Sequence, residues 1–185
     1  MTRALLMLIL LVGVSILAPG CMTAAKEAYG GVTGADGIVA EIQPAIEADN
    51  DRPLGRYTHF EIGKVTDDIS GKYPDQLLAM VPDQFEKQLA KKKIVNAPTG
   101  KTLIIRGTII HYEDEGMLGM VLGPLEEIIC RTELVDKDTG KVLGVANCIG
   151  RTTERVNKGV AKKAEGLAKA WANWIEMRYP KPQND

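Results

Sequence analysis

Histidine and serine are nearly missing from this chain. Of 185 residues only His59 and His111 are histidines, and serine occurs only at Ser15 and Ser70. General acid–base and nucleophilic catalysis draw most often on these side chains or on an activated cysteine. Ser15 lies in an apolar leader and Ser70 precedes Gly71, so neither sits in a nucleophile elbow. No spacing brings a thiol to a histidine, as an activated cysteine needs. Aromatic residues make up only 5% of the chain, too few for a base-stacking platform or a carbohydrate-binding aromatic strip. Neither sign of charge dominates: 23 Lys and Arg face 24 Asp and Glu. That balance gives no field for nucleic acid and no polybasic patch for acidic lipid. A phosphate loop is missing too, since Gly100-Lys101-Thr102 lacks a glycine at the required upstream spacing. The run His111-Tyr112-Glu113-Asp114-Glu115 offers nitrogen and oxygen donors, but strand alternation sends neighbours to opposite faces. A polar strand end entering a loop accounts for it, and no metal or cofactor is expected.

What is present begins at the N-terminus. Arg3 supplies a positive start, Ala4 to Ala18 form an apolar run, and Pro19-Gly20 lead into Cys21. The run is short for a bilayer span, which takes about 20 apolar residues, and the whole reads as an export leader. Pro19 and Gly20 break any helix where a peptidase needs extended chain. The segment resembles the lipobox of bacterial lipoproteins, although Leu17 stands one place early and Pro19 is unusual at its position. The resemblance implies cleavage before Cys21, its lipidation, and a membrane anchor; simple signal cleavage or retention as an anchor are the alternatives. Met22 after the cysteine is permissive for transfer to the outer membrane, with the domain facing the periplasm. Without residues 1–20 the chain keeps 22 basic and 24 acidic residues, a net charge of −2.

Residues 21–53 read as a flexible tether, with Gly30, Gly31, Gly34 and Gly37 followed by the polar cluster Glu47 to Pro53. A docked N-terminal arm is the other reading. Residues 54–180 are expected to form one globular domain, long enough to bury a core. Tyr57 to Val65 alternates as a strand does. Pro74-Asp75 opens a helical stretch over Gln76 to Val81, and Pro82 starts a second helix with Phe85, Leu89 and Ala90 on its inner face. Leu103 to Tyr112 is apolar on both faces and suits a central strand covered on both sides. Glu127 to Val135 and Lys141 to Arg151 form a hairpin around Asp136-Lys137-Asp138-Thr139-Gly140, where Asp136 can hold the turn amides and Gly140 can take positive φ. From Val156 to Arg178 an amphipathic helix carries Val160, Ala164, Leu167, Trp171, Trp174 and Ile175 on one stripe. The tryptophans either pack on the sheet or lie in a membrane interface. The expected fold is α+β: a mixed, mainly antiparallel four-stranded sheet, with a helix between its first two strands and the long C-terminal helix packed on it.

Arg106-Gly107-Thr108-Ile109-Ile110-His111-Tyr112-Glu113, the glycine-rich segment 116–123, and Leu134-Val135-Asp136 with Thr139-Gly140 and Val142-Leu143 carry a resemblance. Together they resemble a domain of unknown function (number 4410) found in bacterial lipoproteins, over roughly residues 56–176. In outline the order of elements is also similar to the periplasmic domains of curli-secretion and penicillin-binding-protein-activator lipoproteins. The resemblance implies a fold and a compartment but no catalytic residues.

Two function classes follow: a noncatalytic lipid-anchored envelope protein that binds another protein or assists assembly, or a periplasmic enzyme whose site is gathered from separate strands. Two further features bear on this. Met117, Leu118, Met120, Val121 and Leu122 lie between glycines after an acidic cluster, as either a packed strand connection or an apolar contact loop. Cys130 and Cys148 lie on the two hairpin strands. A four-residue loop would make facing residues sum to 277 and send the two thiols to opposite faces; with Gly140 as a bulge the sum is 278 and the two cysteines stand opposite each other. They are then either a disulfide or two buried thiols.

Overall fold

The computed structural model describes residues 35–113, 126–152 and 159–181. Five strands and two α-helices follow in the order β1 (Ala35–Gln43), β2 (His59–Asp67), α1 (Gln76–Lys91), β3 (Thr102–Tyr112), β4 (Glu127–Asp136), β5 (Val142–Thr152) and α2 (Val160–Arg178), with a 3-10 turn at Pro53–Arg56. The architecture is α+β. One mixed sheet has the strand order β1-β5-β4-β3-β2. Its β1/β5, β5/β4 and β4/β3 pairings are antiparallel, and only β3/β2 is parallel.

The sheet therefore has five strands, where the sequence pointed to four. The additional strand is β1, inside the segment expected to be a tether. Ile38, Val39 and Ile42 supply β-branched residues, and Ala35 to Gln43 pair antiparallel with Val145 to Thr152. Gly37, one of the glycines that suggested flexibility, is there for a steric reason. A Cβ on it would lie 2.3 Å from the backbone nitrogen of Ala170 in α2. The helix expected between the first two strands therefore lies between the second and third, as the crossover that a parallel β2/β3 pair requires.

Helix α1 is continuous from Gln76 to Lys91 with Pro82 inside it, rather than two helices meeting at Pro82. Leu77, Val81, Phe85 and Leu89 face the core, whereas Ala90 is exposed. Helix α2 opens at Val160 and puts Ala164, Leu167, Trp171, Trp174 and Ile175 inside. Both tryptophans pack on the sheet. Trp171 Nε1 donates to Thr132 Oγ1 at 2.9 Å, Trp174 Nε1 donates to Glu41 Oε1 at 2.8 Å, and the Trp171 ring meets Phe85 edge to face. Buried indole N–H groups need such partners.

Both helices share one core with the same face of the sheet, through Leu103, Ile105, Ile109, Ile128 and Leu134 among others. Strand β3 is central but covered on one side only, because Ile104, Thr108 and Ile110 on its other side are half-buried. Its apolar character on both faces is thus not matched by cover on both faces. Close approach of α2 to β1 and β5 depends on three glycines. Gly37 and Gly150 are cross-strand partners. A Cβ at Gly150 would come within 2.4 Å of Leu167 N, and one at Gly166 within 2.8 Å of Asp36 O. Among the described residues, no helix is long and apolar enough to cross a membrane.

Candidate functional site

The hairpin register is the one that places the two thiols together. Cys130 faces Cys148, Thr132 faces Ala146 and Leu134 faces Gly144, but the bulge that produces this register is Leu143 on β5 and not Gly140: nearer the turn Val135 faces Val142, as a four-residue loop dictates. Gly140 adopts φ 68°. Asp136 Oδ1 accepts from the amides of Asp138 and Thr139 at 3.1 and 3.0 Å, the turn chemistry that an Asp at this place supplies. Both cysteines are buried and unbridged, on the helix-facing side under α2. Burial, with no cation beside them, pushes the Cys130 thiol up to about 11 and the Cys148 thiol up to about 12. They are neutral, apolar core groups, unsuited to nucleophilic work.

The histidines are not brought together. His59 opens β2 against Thr102, while His111 lies near the far end of β3. His111 Nε2 lies 3.9 Å from both Glu113 and Glu127, too far for a hydrogen bond. Among the described residues no group of His, Cys, Asp or Glu has the geometry to hold a metal. Cys21 and the apolar segment Met117, Leu118, Met120, Val121 and Leu122 lie outside the described residues.

Two buried polar clusters escaped the sequence reading. In the first, the Asp136 carboxylate accepts from Tyr57 Oη at 2.6 Å and pairs with Lys101 Nζ at 2.7 Å. Lys101, then Tyr57, hold it far below the usual carboxylate range. Burial and the Asp136 bond raise the Tyr57 phenol in turn. This cluster ties the 3-10 turn, β4 and the entry to β3 together at the hairpin end. In the second, Lys163 is wholly buried. Its ammonium lies 3.2 Å from Glu126 Oε2 and 3.2 Å from Tyr112 Oη, and 4.3 Å from the centre of the Tyr112 ring. Lys163 lies on α2 next to the apolar stripe, where lysines normally stay wet; its only sequence signal is Ala164 beside it. Each cluster joins elements: the first links the 3-10 turn, the entry to β3, and β4, and the second links α2 to the ends of β3 and β4.

Among the described residues, the surface left open is the face of the sheet opposite the helices. One row crosses four strands in register, Ile38 to Ile149 to Ile129 to His111. A polar row follows beside it, Asn147, Arg131, Thr108 and Thr66, with Arg131 Nε on Asn147 Oδ1 at 3.3 Å and the two threonine hydroxyls 3.1 Å apart. The next row holds Val145, Glu133 and Arg106, the last two paired at 2.9 Å. At the β1 edge Ile42 is 54% exposed and Ile38 is exposed as well. Among the described residues, neither α-helix lies over this face. It offers apolar contact area flanked by arginine, threonine and amide groups, the composition that suits protein contact.

No protein-family model matches the chain, and no curated protein matches it in sequence. Among solved structures, the dodecamer of PelC from Paraburkholderia phytofirmans in space group P6 is similar, with a TM-score of 0.50 and 12% identity. The match covers 80% of this chain and 99% of that one. A variant of the same dodecamer in space group C2 gives 0.48 and 14% over 78% of this chain and 99% of that one. A PDZ domain protein from Parabacteroides distasonis gives 0.38 and 13%, covering 88% of this chain and 40% of that one. At these identities the likeness to PelC is one of fold.

Proposed function

We propose that this protein is a noncatalytic, lipid-anchored envelope protein that acts by binding another protein, as an accessory or assembly module. In this reading Cys21 carries the lipid, the anchor sits in the bacterial outer membrane, and the α+β domain faces the periplasm, as in the lipoproteins of the resembling family. The observation that carries the binding role is the uncovered sheet face. An isolated domain gains nothing by leaving Ile38 and Ile42 exposed at a sheet edge, where such groups also invite aggregation. A partner on that face buries them. PelC is a dodecamer, and since the likeness extends to the fold alone, a second copy of this chain is one outcome of the test.

A photo-crosslinking residue placed at Val145 in living cells should join the protein to one discrete envelope partner. The same residue at Lys87, on the wet side of α1, should not. Equal products from both positions, or none from Val145, would overturn the binding role. Cys21→Ala should lose the acylated N-terminus and leave the membrane fraction, and its continued membrane residence at unchanged mass would overturn the anchor. Turnover in a broad hydrolase screen would favour the enzymatic alternative.

A further inference from the structure

The C-terminal ends of both helices border one cleft, lined by none of the residues that make the open sheet face. The turn after α1 supplies one wall, the last turn of α2 and the chain beyond it supply the other, and the space between is about 610 Å³. That volume lies within the range of about 300–1,000 Å³ usual for small-ligand sites. Its floor is apolar, made by Ile94, Met177, Tyr179 and Pro180. Ile94 is buried, the Tyr179 ring is held edge-on to Phe60, and Met177 remains 43% exposed.

The walls carry four cations and a single carboxylate. Two of the cations are already engaged. Arg52 Nη1 donates to the carbonyls of Tyr179 at 2.6 Å and Glu176 at 3.4 Å, and Lys92 Nζ pairs with Glu176 Oε2 at 2.5 Å. These contacts matter for what can enter. The C-terminal end of a helix ordinarily repels anions, because its last carbonyls point outward. Here Arg52 reaches one of those carbonyls, Glu176 O, together with Tyr179 O just beyond the helix, and Lys92 neutralises the one acid of the cleft. Lys93 and Lys181 remain at the mouth, both exposed and with no ion pair among the described residues.

Lys93 also stands where glycine is the usual residue. It has φ 58°, the left-handed position after a helix, and its amide donates to Ala90 O at 3.0 Å. A residue with a Cβ costs about 1–2 kcal/mol in that conformation. An ammonium is thus held at the mouth at a conformational cost that glycine would spare.

We infer that this cleft binds an anionic amphiphile, a phosphate monoester or carboxylate on an apolar chain. The anion sits between Lys93 and Lys181, and the chain lies on Ile94, Met177 and Tyr179. The inference stands apart from the protein-binding role, which uses the other face of the sheet.

Octyl phosphate is the probe, read by NMR of 13C-methyl methionine. The Met177 methyl should shift saturably while the exposed Met80 on α1 does not. Inorganic phosphate and octanol should each bind at least tenfold more weakly. Lys93→Gly with Lys181→Gln keeps the left-handed turn, removes both charges, and should weaken octyl phosphate at least tenfold without lowering the melting temperature. Vesicles of phosphatidic acid in phosphatidylcholine separate the sources. With the anchor removed by Cys21→Ala, co-sedimentation that is lost when the two lysine changes are added assigns the head group to a bilayer lipid, whereas binding of octyl phosphate alone assigns it to a soluble amphiphile. No saturable shift at Met177, equal shifts at Met80 and Met177, or unchanged affinity in the double variant would overturn the inference.

Discussion

Gly166→Ala sets two energies of opposite sign against each other. Gly166 lies inside α2, where replacing glycine by alanine should stabilise a free helix by about 1 kcal/mol. The sheet opposes that gain. A Cβ at this position would lie 2.8 Å from Asp36 O, 2.9 Å from Gly150 Cα and 3.0 Å from Arg151 N. All three are backbone atoms of paired strands, so none can rotate away. To reach ordinary contact α2 must lift by roughly 0.5–1 Å, and packed interiors do not absorb such a shift without loss. The helix cannot rise locally without straining the bonds of Trp171 to Thr132 and Trp174 to Glu41. Overpacking of this kind costs about 1–3 kcal/mol, to which loosened tryptophan packing adds. Three rigid backbone contacts put the cost at the upper end of that range, so after crediting the propensity the net effect is a destabilisation of about 2 kcal/mol, which for a domain of this size lowers the melting temperature by roughly 5–10 °C. Urea unfolding followed by tryptophan fluorescence is well matched to the question, because both tryptophans lie buried on α2. Gly71→Ala is the control. Gly71 has φ +67° with nothing near its absent Cβ, so only conformational strain of about 1 kcal/mol is expected there. A Gly166→Ala protein as stable as the wild type, or more so, would refute the backbone-contact account of α2.

Lys163→Met should cost about 3–5 kcal/mol by leaving Glu126 buried without its cation, and adding Glu126→Gln should recover part of that loss in denaturant midpoints. The Asp136 carboxyl is depressed by Lys101 and Tyr57, so its contribution is complete above its unfolded value of about 3.9 and disappears as pH falls toward the folded value. Stability should therefore show a loss below about pH 4 that is smaller in Asp136→Asn, and equal acid limbs in the two proteins would contradict the pairing. The Cys130 and Cys148 thiols should react with a disulfide reagent at least ~100-fold more slowly in the native protein than a free thiol, given their raised pKa and burial. After unfolding, with Cys21 blocked, two thiols per chain are expected. None at that step would mean that the strands had been bridged in the cell.

The hairpin was legible because Asp136 and Gly140 mark its turn, but its register was only half so: the four-residue turn sets Val135 opposite Val142, and the extra residue Leu143 on β5 is what brings Cys130 opposite Cys148. The stripe of α2 was legible for a similar reason, since it repeats over five turns. What escaped depends on contacts distant in the chain. Gly37 reads as flexibility until α2 is seen lying against it. The alternating Ile38, Ala40 and Ile42 that could have marked a strand are too few to outweigh the glycines around them. Pro82 reads as a helix break, yet it stands on the exposed side of α1, where a missing amide and a bulky ring are tolerated. Lys163 reads as a wet lysine until Glu126 and Tyr112 close over it. The open sheet face could not be foreseen from β3, because apolar residues on both sides of a strand do not say which side a helix will cover.

The strand order also carries a consequence in time. Among the described residues, strand β1 precedes all the other strands, yet its one partner in the sheet is β5, the last of them: Ala35 finds Thr152, and Gln43 finds Val145. Such distant pairings form slowly, because a long loop must close before any bond repays it. Strands β2 to β5 can assemble with the hairpin as their local seed while β1 still waits. Moreover, α2 presses on β1 through Gly37, so the final docking must seat strand and helix together. Of the described strands, the first to be made is thus the last that can be paired, since β5 must be complete before β1 has a neighbour.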